Sequence, residues 1–467
     1  MAITPTQNGS DVNALLRTSP DKYTSLGDLL KYAKPDNRDL LINTYGDQGI
    51  TGFLELTGAT RSSGTQDEVQ WWEEGRLHYT VSGAISSASG ATATFTVTGV
   101  TGASNDASSL RLNDVVMDDA GDRYVVTNLA DTDSDGLEES YTLTTLDGTD
   151  AADDAATKLI IIGNIYAQGT GQPTRFYQTD VTKRINPYMI TKETYHVNGS
   201  QATNIGWINI GNGDYRWYVK GEMDTRKRFM NQREMMMLFS QRVADTAVAG
   251  ADNIALKEGK VPGSEGYFAA IEDRGITTTG TFGGASPSTG FDDIDTIIFE
   301  LDKQGAPSEY AMYVDTATSL DIDDMLAGGI GTSTTAGLPG QFGAFQNSPD
   351  MAVQLGFKSF TRGSYTFHKH DWKLLNDPTL LGAFTTKPYK GAMVPMTQVV
   401  DAKTGTKAPA LEMNYKETNG YSRELEHWVE GGGVLGFKTN DEDVAKFHYR
   451  SECNLVTRAA NMHVALT

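Results

Sequence analysis

The longest uninterrupted helical pattern in the chain covers residues 222–250. Apolar side chains recur there every three or four positions and the other side is polar, so the pattern predicts one long helix with a single apolar face. Asp224 and Thr225 suit its N-terminal cap, and Gly250 suits its C-terminal end. The predicted inward residues are Phe229, Met236, Phe239, Val243 and Ala247. The predicted outward residues are Arg226, Arg228, Arg233, Glu234, Gln241 and Asp245.

Shorter elements are predicted after this helix. A second helix covers residues 291–305 and begins at Asp292 or Asp293, a buried strand covers 309–314, and a third helix covers 318–327. The inward residues of the second helix are Ile294, Ile297, Ile298 and Leu301. Further strands are predicted at 353–360, 364–370, 391–396, 411–415, 421–429, 447–449 and 455–465. The first two of these form a hairpin across Arg362 and Gly363.

The chain before the long helix has two different characters. Residues 1–45 contain too few apolar side chains for a core and are predicted to be an arm that lies along another structure. Residues 46–81 and 164–214 are predicted to form an extended loop with strand-like patterns. The patterns at 52–79 and 174–198 suit pairing with each other, and such a two-stranded structure is unstable unless neighbours cover it.

Trp71 and Trp72 are adjacent in the first of these strand-like patterns. Neighbouring side chains of a strand point to opposite faces, so the two indoles cannot share one face. Either at least one of them lies at an interface, or both lie in a local core.

Composition changes between residues 82 and 163, where Thr, Ser, Ala, Gly and Asp dominate. Short strands are predicted there, separated by turns, which is the spacing of a small β-barrel or sandwich. The stretch therefore reads as an inserted all-β domain. The predicted strands are 93–97, 115–117, 123–127, 141–145 and 159–162.

A candidate calcium loop lies within this insertion. Asp131, Asp133 and Asp135 precede Gly136 in the register of an EF-hand loop. Thr142 stands at the twelfth position, where such loops place a bidentate Glu, and a strand is predicted there rather than a helix. Bound Ca²⁺, with Glu138 or Glu139 as the substitute ligand, and a solvated acidic turn are the two readings.

The composition restricts the classes of function. The 467 residues suggest two to four domains, and 39 Lys and Arg against 60 Asp and Glu give a formal net charge of -21. This charge argues against electrostatic capture of nucleic acid, although a protein can enclose nucleic acid without gripping it. The single cysteine, Cys453, excludes an internal disulfide and suits a reducing compartment. Neither a signal peptide nor a membrane span is predicted.

No catalytic constellation is predicted, and we expect no enzyme activity. His368, His370 and Asp371 are the nearest approach to a metal or general-base cluster, but no further ligand can be named, and a polar strand at a solvent edge is the favoured reading. Glu424 and Glu426 share a predicted strand face without a distinct chemical role.

The order of elements resembles the Hong Kong 97 fold of tailed-bacteriophage major capsid proteins. The stretches that carry the resemblance are 221–252 for the spine helix, 291–315 for the second helix and its strand, 389–395 for a hinge, and 447–466 for the returning strands. Residues 423–428 and 448–452 are similar to capsid proteins of crAss-like phages and their relatives. The insertion at 82–163 and the lack of a fused scaffold region depart from the minimal family pattern.

The resemblance implies an α+β fold and a structural function. It assigns residues 215–308 to a peripheral domain with the spine helix, 309–395 to an axial domain, and 396–467 to strands that return to the peripheral domain. It further implies self-assembly through hexamers and pentamers into an icosahedral shell that encloses double-stranded DNA without sequence-specific binding. Trp71, Trp72, Phe176 and Tyr177 on the extended loop are then expected at subunit interfaces.

The partners and location follow from the same resemblance. They are further copies of the chain, a portal, a scaffolding protein and decoration proteins, in a virion assembled in the host cytoplasm and not in a membrane. Two alternatives remain at this point: a phage tail or surface β-domain protein that binds a host glycan through the insertion, and a metal-dependent hydrolase using His368, His370 and Asp371.

Overall fold

The computed structural model describes most of the chain after Thr60. The described residues are 60–62, 66–78, 80–101, 110–130, 140–173, 177, 179, 181–202, 217–242, 263–279, 282, 287–331, 358–396, 398–400, 407–418, 420–432, 439 and 441–467. They divide into two compact units, which are Gln70–Ile185 and the remainder, here called the body. Within the described residues, no helix combines the length and the apolar character that crossing a bilayer requires.

Strands outnumber helices among the described elements. The strands are β1 (Thr60–Ser62), β2 (Glu68–Glu74), β3 (Thr80–Ser89), β4 (Thr92–Thr101), β5 (Asp114–Met117), β6 (Arg123–Ala130), β7 (Ser140–Thr145), β8 (Asp154–Asn164), β9 (Val181–Pro187), β10 (Met189–Asn198), β11 (Ile276–Thr278), β12 (Glu309–Val314), β13 (Ser359–Arg362), β14 (Tyr365–Asp371), β15 (Gly391–Pro395), β16 (Gln398–Val400), β17 (Lys407–Pro409), β18 (Leu411–Tyr415), β19 (Glu417–Thr418), β20 (Tyr421–Ser422), β21 (Glu426–Gly431), β22 (Val444–Thr457) and β23 (Val464–Leu466). The helices are α1 (Gly199–Ala202), α2 (Trp217–Phe239), α3 (Tyr267–Arg274), α4 (Pro287–Lys303) and α5 (Thr316–Gly331), with 3-10 turns at Lys373–Leu375, Leu381–Ala383 and Ala460–Met462.

The stretch between Thr80 and Asn164 folds into a closed barrel. Its six strands follow the order β3-β4-β7-β6-β5-β8, and β8 pairs with β3 to close the ring. Inward side chains alternate with outward ones, so that Tyr141 and Leu143 of β7 are buried while their neighbours are not. The sequence pattern predicted either a barrel or a sandwich here, and it did not predict β3.

The two strands that flank the barrel in sequence form a separate two-stranded sheet, the ribbon, from β2 and β9. The pairing predicted between the extended stretches at 52–79 and 174–198 is present in this part. The second half of 174–198 differs from the prediction, because β10 pairs with β22 of the body over its full length.

The body contains a five-stranded sheet around the fourteen-residue strand β22. Strands β10, β18 and β21 all pair with β22, and β1 extends the sheet beyond β18. The sequence divided this region into strands at 447–449 and 455–465, whereas the structure has one continuous strand followed by a 3-10 turn and β23. Burial alternates along the first half of β22 and is continuous along the second half. Because the two halves have different patterns, the sequence did not predict one continuous strand.

Helix α2 packs on this sheet, and the predicted start and face of the long helix were partly wrong. Thr225 donates to the carbonyl of Gly221 within the helix at 2.8 Å, and Asp224 pairs with Lys220 at 2.7 Å, so neither is a cap. The helix begins at Trp217 and ends at Phe239, and residues 240–242 are not helical. Residues 243–250, with Val243, Asp245, Ala247 and Gly250, lie outside the described residues.

The buried side of α2 also differs from the prediction. Phe229 is buried as expected, but Met236 is exposed, while Met237, Leu238 and the predicted outward Glu234 are buried. The reason is that the C-terminal end of the helix enters the main core together with α3 and Trp372, and so it is covered on more than one side. The predicted polar face is correct for the exposed Arg226, Arg228 and Gln241.

The second sheet of the body has six strands in the order β11-β23-β15-β12-β14-β13. Helix α4 packs on it through Ile294, Ile297 and Leu301, as the sequence predicted. Its start is four residues earlier than residue 291, at Pro287, which suits the first turn because the missing N–H has no partner there. The hairpin of β13 and β14 turns at Gly363, whose φ of 59° favours glycine.

Asp315 connects β12 to α5. Its carboxylate accepts the backbone N–H of Thr318 at 2.9 Å and the Lys387 ammonium at 2.8 Å. Burial acts to raise the pKa of Asp315, but these hydrogen bonds and the charge of Lys387 outweigh it, and the pKa is lowered. The residue is therefore the N-terminal cap that starts the helix predicted at 318–327.

Candidate functional site

The ribbon is the candidate site because it carries large apolar side chains outside any core. Strands β2 and β9 form their own two-stranded sheet. Within the described part of the chain, none of their residues belongs to a hydrophobic core cluster. An isolated two-stranded sheet is marginally stable in water, so the ribbon lacks an internal source of stability.

One face of the ribbon is fixed by polar contacts. The Trp71 indole N–H donates to Glu73 Oε1 at 3.0 Å, and the other carboxylate oxygen of Glu73 accepts from Arg184 Nε of β9 at 3.2 Å. Trp71 and Glu73 are two positions apart and therefore share one face. This chain of contacts keeps Trp71 half-buried on that face.

Trp72 lies on the opposite face of β2 and is 65% exposed. Leu77, which follows β2, is 75% exposed, and Val181 at the start of β9 is also exposed. Three large apolar side chains are thus presented to solvent on one short, coreless segment. Such a segment is typical of a surface that another molecule covers.

Asn186, near the end of β9, belongs to the body and bonds to other residues of the body. Its amide donates to the carbonyls of Leu455 at 2.6 Å and Glu265 at 3.0 Å. Its side-chain oxygen accepts from Ser264 Oγ at 3.1 Å and from the backbone N–H of Glu265 at 2.8 Å. Because every polar atom of this fully buried amide is bonded, Asn186 is held in one position within the body.

Asp67, the residue before β2, takes part in a group of ion pairs. Asp67 pairs with Lys416 at 2.5 Å, and Lys416 lies 3.6 Å from Glu452, which also pairs with Arg423. The hydrogen bond and the charge of Lys416 lower the pKa of Asp67. The backbone carbonyl of Asp67 accepts the N–H of Tyr188 at 3.2 Å, so the residue before β2 and the residue after β9 are joined within the body.

Tyr177 has a contact within its own chain. Its hydroxyl donates to the buried carboxylate of Asp114, and the Arg111 guanidinium lies 3.9 Å from the centre of its ring. Burial, followed by the hydrogen bond to Asp114, raises the pKa of Tyr177. Phe176 lies outside the described residues, and a subunit contact at either position stays a prediction.

The candidate calcium loop cannot be placed, because Asp131, Asp133 and Asp135 lie outside the described residues. Thr142, the residue at the twelfth loop position, is in β7. In the portion of the chain that is described, no three His, Cys, Asp or Glu side chains are grouped so that they could hold a metal ion.

His368, His370 and Asp371 all lie on β14, and among the described residues they are not grouped so as to hold a metal ion. The imidazole of His370 stacks on Tyr313 at a ring separation of 5.2 Å. The expectation of a solvent-edge strand is wrong, because β14 lies between β12 and β13, and β13 forms the edge. Propensity alone cannot distinguish an outer strand from its neighbour.

The predicted carboxylate pair of Glu424 and Glu426 is also not formed on one strand, since β21 begins at Glu426. Glu426 pairs with Arg450 at 2.5 Å and accepts from Tyr421. Burial acts to raise the pKa of Glu426, but these contacts outweigh it and lower the pKa. A lowered pKa suits a structural ion pair rather than a general acid.

Comparison with known proteins gives only distant structural similarity. No protein-family model matches the sequence, and no curated protein is similar to it. A structure from Microbacterium phage Oxtober96 is similar with a TM-score of 0.39 and 8% identity, covering 96% of this chain and 99% of that chain. The capsid structure of Cyanophage P-SCSP1u gives a TM-score of 0.39 and 8% identity over 95% and 94% of the two chains.

A third solved structure, the holo-SrpI encapsulin complex from Synechococcus elongatus PCC 7942, has a TM-score of 0.33 and 10% identity over 62% of this chain and 77% of that chain. The similarity is weak in each of these three cases. The proposals below are therefore based on the contacts of this chain.

Proposed function

We propose that this chain is a major capsid protein of a tailed bacteriophage. Copies assemble through hexamers and pentamers into an icosahedral shell that encloses double-stranded DNA. The observation that carries the proposal is the ribbon, a pair of strands outside every described core cluster that presents Trp72 to solvent. A neighbouring copy that covers the ribbon would supply the burial it lacks.

The ribbon lacks a core that would stabilise it in a single copy, because its strands belong to none of the described core clusters. A neighbouring copy that covers Trp72 would order the ribbon and bury its exposed apolar side chains in one step. A shell repeats that contact many times, so each one can be weak.

The charge suits enclosure of DNA rather than specific binding. A net charge of -21 repels phosphates when spread over a surface, so packaged DNA would remain free to slide. In this proposal the chain is a virion component assembled in the host cytoplasm, with portal, scaffolding and decoration proteins as its other partners. A Ca²⁺ ion at Asp131, Asp133 and Asp135 of the barrel unit remains a separate proposal.

Electron microscopy of the purified chain tests the proposal directly. We expect shells or capsomer-sized rings, and we expect Trp72→Ala to abolish them while the protein stays soluble and folded. The matched control is Phe384→Ala, which removes a ring that is 56% exposed but lies on the body. This control should assemble normally.

Four results would contradict the proposal. If Trp72→Ala formed shells at the same protein concentration as the wild type, the ribbon would not be part of the contact between copies. If that variant were insoluble, Trp72 would be a core residue. Trimeric rods would favour the glycan-binding alternative, and monomers that bind stoichiometric metal would favour the hydrolase.

A further inference from the structure

The outer surface of the barrel carries a group of exposed aliphatic side chains on β8 and beside it. Ile160 and Ile162 are two positions apart on β8 and are 46% and 55% exposed. Ile165, which follows β8, and Leu112 are also exposed. These four residues are here called the aliphatic face. A cluster of large apolar side chains on the outside of a folded unit is typical of a surface that another molecule covers.

The chain after β8 brings two of these residues together. The backbone N–H of Ile165 donates to the carbonyl of Asn113 at 3.0 Å, and the Tyr166 hydroxyl donates to the carbonyl of Leu112 at 3.3 Å. These bonds join the residues after β8 to the residues before β5. Leu112 and Ile165 therefore lie close together at one end of the aliphatic face.

An irregularity in the barrel presents Ile162. The register of β5 with β8 passes from Gly163 directly to Ile161, so Ile162 has no partner residue on β5. Ile161 packs against the barrel core, and its two neighbours in β8 are therefore directed outward. Bulges of this kind redirect a side chain, and Ile162 is the most exposed large apolar residue of β8.

The aliphatic face lies in an uncharged stretch of an acidic chain. No charged residue occurs between Lys158 and Arg175, although the formal net charge of the chain is -21. Nearby cations are engaged or turned away, because Arg111 pairs with Asp114 at 3.3 Å, and Arg123 is on β6, two strands from β8 in a ring of six. Two copies of this chain repel each other over most of their surfaces, and an uncharged surface is where they can approach.

The outward row of β8 is complementary to its own reversed copy. This row consists of Lys158, Ile160, Ile162 and Asn164. If two rows meet in antiparallel directions about a two-fold axis at Ile161, Ile160 of each copy meets Ile162 of the other. Each Lys158 then meets Asn164, whose carboxamide oxygen accepts a hydrogen bond from the ammonium group. In a parallel arrangement the two Lys158 ammonium groups would face each other and repel.

We propose that β8 of one barrel packs face to face and antiparallel on β8 of the barrel in a second copy of this chain. Ile165 of each copy would lie against the aliphatic stem of Lys158 of the other, and the ammonium group would remain at the solvent edge. The contact uses no residue of the ribbon and is complete with two copies, so it goes beyond the proposed function. The surface is small, so we expect free chains to pair only at high protein concentration.

Disulfide formation tests the antiparallel arrangement. We expect an equimolar mixture of Ile160→Cys and Ile162→Cys to give a disulfide-linked dimer under mild oxidation, because these two positions face each other across the axis. Each variant alone should give several-fold less dimer, since equal positions are two residues apart along the strands. Cys453 is fully buried, and the wild-type chain measures its background. Non-reducing gel electrophoresis measures the dimer.

A charge placed at the centre of the contact tests it in a second way. We expect Ile162→Asp to raise the dissociation constant of the dimer about tenfold or more, because an unpaired carboxylate would be buried there. The matched control is Leu146→Asp, at a leucine that is 44% exposed and follows β7, which is three strands from β8 and so on the opposite side of the ring. Sedimentation velocity of chains that also carry Trp72→Ala measures the dimer without shells, and circular dichroism verifies folding.

The outcomes separate this contact from the shell-forming function. More dimer in the cysteine mixture than in either variant alone, together with weaker pairing of Ile162→Asp, supports the contact whether or not shells form. If the mixture gives no more dimer than the single variants, or if Ile162→Asp pairs as tightly as Leu146→Asp, a second copy does not cover the aliphatic face and the contact is wrong. The shell-forming function is then judged separately, by the effect of Trp72→Ala on shells.

Discussion

The barrel and the ribbon are both built from strands, but they differ in whether they complete themselves. Each barrel strand has a neighbour on both sides, and the closed ring buries Phe95, Tyr124 and Tyr141. Each ribbon strand pairs only with the other within the described residues. Closure removes the unpaired backbone edges that an open sheet presents, so the barrel does not require a further strand to complete its hydrogen bonding.

The comparison locates the source of stability for each region. The barrel gains its stability from its own core, and the sheets of the body gain theirs from helices and from shared strands such as β22. The ribbon has polar contacts at Glu73, but none of its described residues belongs to a hydrophobic core cluster. Its folding energy must come from its attachment and from whatever covers it, which is the physical basis of the proposed function.

The largest expected effect is on the barrel. Phe95→Ala removes a fully buried ring 6.5 Å from that of Tyr141, and we expect it to lower the free energy of unfolding of the barrel by about 3–5 kcal/mol. Ile162→Ala at an exposed outward position should change it by less than about 0.5 kcal/mol. Hydrogen exchange of residues 80–164 measures both. If the backbone amides of the barrel exchanged equally fast in the two variants, the buried core would not be the source of the barrel's stability.

The next effect is at the base of the ribbon. Asn186→Ala removes its four hydrogen bonds, to the carbonyls of Leu455 and Glu265 and from the Ser264 hydroxyl and the Glu265 N–H, so we expect a loss of about 2–3 kcal/mol of stability in the body. Urea denaturation measures this loss. Asn164→Ala, at an exposed asparagine of β8, is the control and should have little effect. A wild-type value for Asn186→Ala would mean that these four bonds add no net stability to the body.

The sequence predicted those elements whose pattern is complete within a short window. The inward face of α4 and the bounds of β12 followed from local periodicity, because each element packs on one side or is buried throughout. The start of α2 did not follow, because Asp224 and Thr225 resemble caps although their side chains bond within the helix. Both bonds reach residues one helical turn earlier, Lys220 and Gly221, and neither residue has the side-chain oxygen that marks a helix start.

The candidate site could be predicted only in part. Adjacent Trp71 and Trp72 marked the ribbon, and strand alternation predicted that they face opposite sides. Asn186 was missed, because its role comes from residues that are far away in the chain, such as Ser264 and Leu455. The one available signal was a polar residue next to Pro187 in an apolar context, and this does not identify a buried anchor.

A smaller, pH-dependent effect is expected within the body. His463 is fully buried with its Nδ1 3.1 Å from the Tyr267 hydroxyl, and burial lowers the pKa of His463 to about 3. Between pH 6.5 and about 3 the unfolded chain therefore binds a proton that the folded chain does not. Stability falls as the pH decreases through this window, by at most about 1.4 kcal/mol per pH unit.

His463→Gln should flatten this dependence, because glutamine cannot take up the proton. Urea denaturation at pH 7 and pH 5 measures the slope, with His78→Gln at an exposed position as the control. The ribbon carries no comparable buried base among its described residues, so its exchange rates should not follow this slope. An unchanged slope in His463→Gln would assign the acid sensitivity to another group.

The smallest expected effect is on the ribbon itself and is the sharpest test of the comparison. Glu73→Gln weakens the contact with Arg184 between half-exposed side chains, and we expect it to cost about 0.5 kcal/mol or less in the free chain. Amide exchange at residues 68–74 should be fast in both wild type and variant before assembly and slow in both afterwards, because burial by a neighbour far exceeds one ion pair. If the free wild-type ribbon instead exchanged as slowly as the barrel, the ribbon would be completed by its own chain, and the case for a neighbouring copy would fail.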